Sequence, residues 1–151
     1  MPGEEVKKIV KLKNISEGLS DEKSELWGAI KVIFEKKQAD GTYVPCTKAD
    51  MVLINDIMDL DINTAKWSAQ TPADDNNIVY VYNEPLAKGE ESEALFTTVS
   101  ISEDLDNDQL EELKAIATDA EINIKVTGAV IQAYEVDLNT AIAEVVKNLT
   151  A

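Results

Sequence analysis

Ile78-Val79-Tyr80-Val81-Tyr82 is an unbroken run of β-branched and aromatic residues. Such a run fits a pleated surface and reads as a strand. The polar stretch Gln70 to Asn77 (Q-T-P-A-D-D-N-N) precedes it and the turn from Pro85 to Gly89 follows. Further strands lie on either side. Val6 to Ile15 contains the alternation Val10-Lys11-Leu12-Lys13, a half-buried strand. Glu25 to Lys36 (E-L-W-G-A-I-K-V-I-F-E-K) favours a strand by composition, although its nearly continuous apolar run leaves a helix open. Gly28 inside it marks a bulge or a close backbone approach.

Asp40-Gly41 is a hairpin turn signal, and Tyr43-Val44 begins a return strand that Pro45 confines to an edge. Met51-Val52-Leu53-Ile54 reads as a short apolar strand or turn, and residues 63–68 lead to Trp67. Leu95 to Ile101 is another strand. Glu121 to Tyr134 alternates at Ile122, Ile124 and Val126 and forms a long one. Two segments have helical spacing instead. Asp108 to Thr118 places Leu110, Leu113, Ile116 and Ala117 three and four apart behind an Asp cap, and Asp137 to Leu149 is amphipathic. Seven or so short strands between regular turns predict a mainly β fold, an antiparallel β-sandwich with short helical decorations. At 151 residues the chain reads as a single domain, 1–151.

Charge narrows the function. Fourteen basic and 29 acidic side chains give a formal charge of −15. Nucleic acid demands a basic face, so it is excluded as a partner, and anionic membrane surfaces are disfavoured equally. Self-association should strengthen with salt or divalent cations, because like-charged subunits repel. No run approaches the ~20 apolar residues of a membrane span. The opening Met1-Pro2-Gly3-Glu4-Glu5 lacks the apolar core of a signal peptide, so a cytosolic protein or a mature exported form is expected.

Catalysis has little to work with. Histidine is absent, which removes the commonest general base and the commonest zinc ligand together. Cys46 is the sole cysteine; Lys48 nearby favours a thiolate, and an ordinary side chain beside a turn is the competing reading. None of the six glycines falls in a phosphate-binding pattern. The expectation is a protein that is not an enzyme and needs no cofactor. Two runs, Asp59-Leu60-Asp61-Ile62-Asn63 and Asp104-Leu105-Asp106-Asn107-Asp108, begin as a calcium loop does, with oxygens at alternate positions. Neither has the later glycine and glutamate. Asp59, Asp61, Asn63, Asp104, Asp106 and Asp108 therefore serve either a loose calcium site or as caps of the elements that follow. The aromatics Trp27, Phe34, Trp67, Tyr80, Tyr82 and Phe96 read as sandwich core, with a carbohydrate platform as the alternative.

One ordered series of motifs goes further. Leu60-Asp61-Ile62-Asn63-Thr64-Ala65-Lys66-Trp67 is followed by Val79-Tyr80-Val81-Tyr82-Asn83-Glu84-Pro85-Leu86-Ala87-Lys88-Gly89-Glu90 and by Ala94-Leu95-Phe96. Val99-Ser100-Ile101 and Ala129-Val130-Ile131-Gln132-Ala133 come later, and Val10-Lys11-Leu12-Lys13-Asn14 opens the series. In this order the motifs resemble the TasA/camelysin family of secreted bacterial proteins, over about residues 6–135. The resemblance implies a jelly-roll-like sandwich, an extracellular location after removal of a signal peptide, and self-association into biofilm matrix fibres, with other matrix proteins and exopolysaccharide as further partners. It also implies that an N-terminal strand of one subunit completes the sheet of the next. Residues 4–14 match that donor segment, with Val6, Ile9, Val10 and Leu12 as its contact residues. Some family members carry a metalloprotease label, which this sequence, without His-Glu-x-x-His, cannot support. A monomeric extracellular module binding polysaccharide or calcium is the alternative.

Overall fold

A computed structural model describes residues 5–15, 25–70, 77–101, 105–133 and 137–150. The fold is mainly β, with two antiparallel sheets packed in sandwich fashion. One sheet is built on β2 (Leu26–Lys37), the long strand at its centre. Along one edge β2 pairs with β8 (Ile122–Gln132) from Leu26↔Gln132 to Lys36↔Ile122. Its other edge pairs with β6 (Asn77–Tyr82) along Ala29–Ile33 and with the short β3 (Tyr43–Pro45) along Glu35–Lys37. β5 (Trp67–Ala69) lies outside β6. The second sheet has three strands in the order β1-β7-β4, where β1 is Glu5–Val10, β7 is Phe96–Ile101 and β4 is Met58–Leu60.

Alternation explains the core. On β2 the residues Ile30, Val32 and Phe34 face the second sheet and are buried. They meet Ile78 and Tyr82 of β6, Ile124 of β8, and Val10 and Phe96 from the opposite sheet. Trp67 lies 4.9 Å from Tyr82 between ring centroids, and its indole N–H donates to the Glu93 carbonyl at 3.1 Å. A tilted aromatic pair with its polar atom satisfied is a stable core element. The named aromatics thus belong mainly to the interior, leaving no exposed platform of rings among the described residues.

The helix assignments need one correction and one enlargement. Met51 to Ile54 is not a strand but the middle of α1 (Lys48–Ile57). Thr47 and Asp50 form a reciprocal capping box, and Met51, Ile54 and Ile57 recur at three-residue spacing on the buried side. Burial pushes the Asp50 carboxyl up, but the Lys36 ammonium at 2.7 Å and the Thr47 donors outweigh it, and Asp50 ends below its ordinary range. α2 (Asn107–Ile116) follows the expected helical spacing, and its cap is Asp106. α3 (Leu138–Thr150) is more than a decoration. It covers the outer face of the large sheet, where Ala29, Val79 and Val81 pack with Ala129 and Ile131 of β8 and with Ile142 of α3. The expected loop at 17–21, Asp104, and most of the polar stretch 70–77 lie outside the described residues.

Ile30 is 1% exposed at the centre of β2, whereas Val52 on α1 is 61% exposed. Ile30→Ala should therefore cost about 2–5 kcal/mol by chemical unfolding. Val52→Ala should stay within about 0.5 kcal/mol of wild type.

Candidate functional site

The alternating segment Val10-Lys11-Leu12-Lys13-Asn14 runs from the end of β1 across the mouth of the sandwich. Period two sends Val10, Leu12 and Asn14 inward and leaves Ile9, Lys11, Lys13 and Ile15 outside. β1 itself pairs with β7, from Glu5↔Ser100 to Val10↔Phe96, with a bulge between Lys7 and Val10. The N-terminal strand is therefore paired within its own chain.

Backbone groups, Ser92 and the Asn14 side chain hold residues 10–14 to the stretch 86–95. The Leu95 amide donates to the Val10 carbonyl at 2.7 Å, and the Ser92 amide to the Leu12 carbonyl at 2.8 Å. In return the Leu12 amide donates to the Ser92 hydroxyl at 2.9 Å. The Asn14 amide reaches the Glu90 carbonyl at 2.9 Å, and the Gly89 amide reaches the Asn14 carbonyl at 2.8 Å. The Asn14 side-chain amide donates to the Leu86 carbonyl at 2.8 Å. Asn14 is 1% exposed, so its polar groups require these partners. Gly89 supplies the positive φ of 80° that turns the partner stretch.

Leu12 is the side chain that ties this segment to the other sheet. A Cβ placed on Gly28 would lie 2.5 Å from one Leu12 methyl, and a Cβ on Gly128 would lie 3.0 Å from the other. In the β2–β8 register Gly28 pairs with Val130 and Gly128 with Ile30, so the two glycines are diagonal neighbours on one face. The forked end of Leu12 straddles that bare diagonal. The expected close backbone approach at Gly28 is thus present. A second tie comes from Lys8, whose ammonium donates to the Ile124 carbonyl of β8 at 2.6 Å. On the outside, Lys11 pairs with Glu91 at 2.7 Å, and this ammonium holds the Glu91 carboxyl below its ordinary range. Of the four expected contact residues, Val10 and Leu12 face the interior, Ile9 is 53% exposed, and Val6 is placed by its backbone pairing with Val99.

The acidic runs have structural work. Asp61 accepts from the consecutive amides of Thr97 (2.7 Å) and Thr98 (2.8 Å) and from the Thr97 hydroxyl. Asp61 thus holds two successive amides of β7 at the stretch that faces the bulge in β1. These donors, the Thr97 hydroxyl first, hold its carboxyl down at about 2. Asp106 accepts from the Gln109 amide at 2.7 Å as a helix cap, and Asp108 lies in the first turn that follows. Asp59 is an exposed residue of β4, and the backbone of Asn63 is engaged with Leu95 and Trp67. Among the described residues no three acidic or cysteine side chains converge as metal ligands do. Cys46 is buried, and desolvation pushes its thiol up to about 11, the opposite of an activated nucleophile.

Comparison of the chain with family models, curated proteins and solved structures finds no match. The arrangement must be interpreted from its own geometry. That geometry offers a seat for one extended strand: a polar rim at 86–95, a floor of two glycines, and an acidic residue outside. Tight packing of Leu12 onto Gly28 was signalled in the sequence by the glycine; the role of Gly128, and that of Ser92, was not signalled at all.

Asp61 yields a pH prediction. Its folded value of about 2 lies below the ordinary 3.8, so its contribution is full above about pH 4 and is lost as pH falls toward 2. Asp61→Asn should melt below wild type at pH 5. Melting curves taken downward from pH 5 to pH 2 should show the gap between the two proteins narrowing.

Proposed function

We propose that this protein is a structural subunit that self-associates by donating its N-terminal strand to the seat of a neighbouring copy. The observation that carries the reading is the placement of residues 10–14. They form an extended segment that continues β1 near one end of the described chain, and their partners lie at 86–95, 28 and 128. An element of this kind can be exchanged between identical chains with the same contacts made in either setting, which is the logic of domain swapping. If each copy gives its strand forward, the contact is head-to-tail and builds a filament.

Backbone bonds and the burial of Val10 and Leu12 hold the seated segment, and the same contacts are available when it is supplied by a second copy.

Polymerisation into extracellular matrix fibres is the form of assembly that the resemblance to the TasA/camelysin family adds. The same reading assigns no catalytic step, in keeping with a buried, unactivated Cys46 and the absence of histidine. Removal of residues 1–14 tests the proposal. The truncated protein should form no filaments by negative-stain electron microscopy under conditions where the full chain does. Undiminished filament formation would overturn it.

A further inference from the structure

We infer that the diagonal pair Gly28 and Gly128 is the specificity determinant of the seat, admitting a strand that carries leucine at the position of Leu12 and thereby selecting a second copy of this chain. The inference deepens the assembly reading and rests on it for the partner, but the lock itself is testable within one chain. Three observations carry it. First, the fit is one of size. A Cβ on Gly28 or Gly128 would come within 2.5 or 3.0 Å of a Leu12 methyl, so a side chain at either position would push Leu12 from its present place. Glycine is otherwise a poor strand residue, and here it sits on the two longest strands of the sheet. Second, the polar contacts fix which residue occupies the floor. Ser92 bonds both backbone groups of Leu12, and Asn14 is locked to Leu86, Glu90 and Gly89. A slip of one residue would turn Lys11 or Lys13 inward.

Third, charge favours this occupant. Residues 4–14 hold four lysines and two glutamates, a net +2, so the remainder of the chain is net −17. The seat places Glu91 against Lys11. A basic strand is drawn to an acidic acceptor at contact range, while repulsion between whole subunits is screened beyond about 8 Å at physiological salt.

A volume swap tests the lock. Leu12→Ala removes three carbons above the floor, and Gly28→Val returns three carbons from below. Each single variant should lower the folding equilibrium constant about tenfold or more in chemical unfolding, and the double variant L12A/G28V should recover most of that loss. Additive losses in the double variant would overturn the size lock, whether or not any assembly is seen. Mixing then tests selection between chains. In a mixture of L12A and G28V, the alanine strand of the first fits the filled floor of the second, and the leucine strand of the second fits the bare floor of the first. The mixture should assemble at least several-fold more than either variant alone. Recovery in the double variant with no gain on mixing would overturn selection between copies. Failure of the wild-type chain to assemble at all would instead strike the assembly reading.

Discussion

The contact of Leu12 with the bare backbone at Gly28 and Gly128 joins the two halves of this fold. β1 belongs to the small sheet through β7, yet Leu12, two residues beyond it, rests on the large one. Sheets in a sandwich are held by side chains alone, with no hydrogen-bond ladder between them. A chain segment that bonds the rim of one layer and packs on the floor of the other therefore fixes how they meet. Lys8 repeats the device a few residues earlier by reaching the Ile124 carbonyl on β8.

That segment also gives the acidity of the chain a sharper meaning. A net charge of −15 taken alone predicts mutual repulsion. The charge is unevenly placed, however, because lysines 7, 8, 11 and 13 all lie on the N-terminal segment proposed as the donor. Salt then acts in two directions. It relieves repulsion between bodies, and it weakens the exposed Lys11–Glu91 pair, which is worth little in water. Apolar seating of Leu12 and the backbone bonds are insensitive to both effects and set the register.

Much of the fold was legible from residue patterns. Period two marked β1 and β8, β-branched and aromatic content marked β6, and the same content favoured a strand at β2 while leaving a helix open. The helix at Met51 was missed because four consecutive apolar residues hide a three-residue period that only Thr47 and Asp50 disclose. The role of α3 was underestimated because a sheet buried on both faces needs a cover on each, and the small residues Ala29 and Ala129 gave little apolar signal. For the candidate site, alternation at 10–14 was visible, but its partners were not. Ser92 and Gly128 lie 80 and 116 residues from Leu12, and only the strand order brings them together. The acidic runs left calcium and capping both open by spacing; Asp106 is a helix cap, whereas the bonds of Asp61 to the amides of Thr97 and Thr98 depend on how the strands meet.

The central claim is that the strand seated on one molecule can come from another. Lys13 and Glu91 form an antiparallel bridge, a pairing whose Cα separation of about 4.5–5.5 Å suits a disulfide. In a Cys46→Ser background, chains carrying Lys13→Cys alone can be mixed with chains carrying Glu91→Cys alone, assembled, and oxidised gently. The account predicts that the assembled fraction yields covalent dimers joined between positions 13 and 91, identified by mass spectrometry. Filaments that form while all 13–91 links are lacking between chains would contradict it.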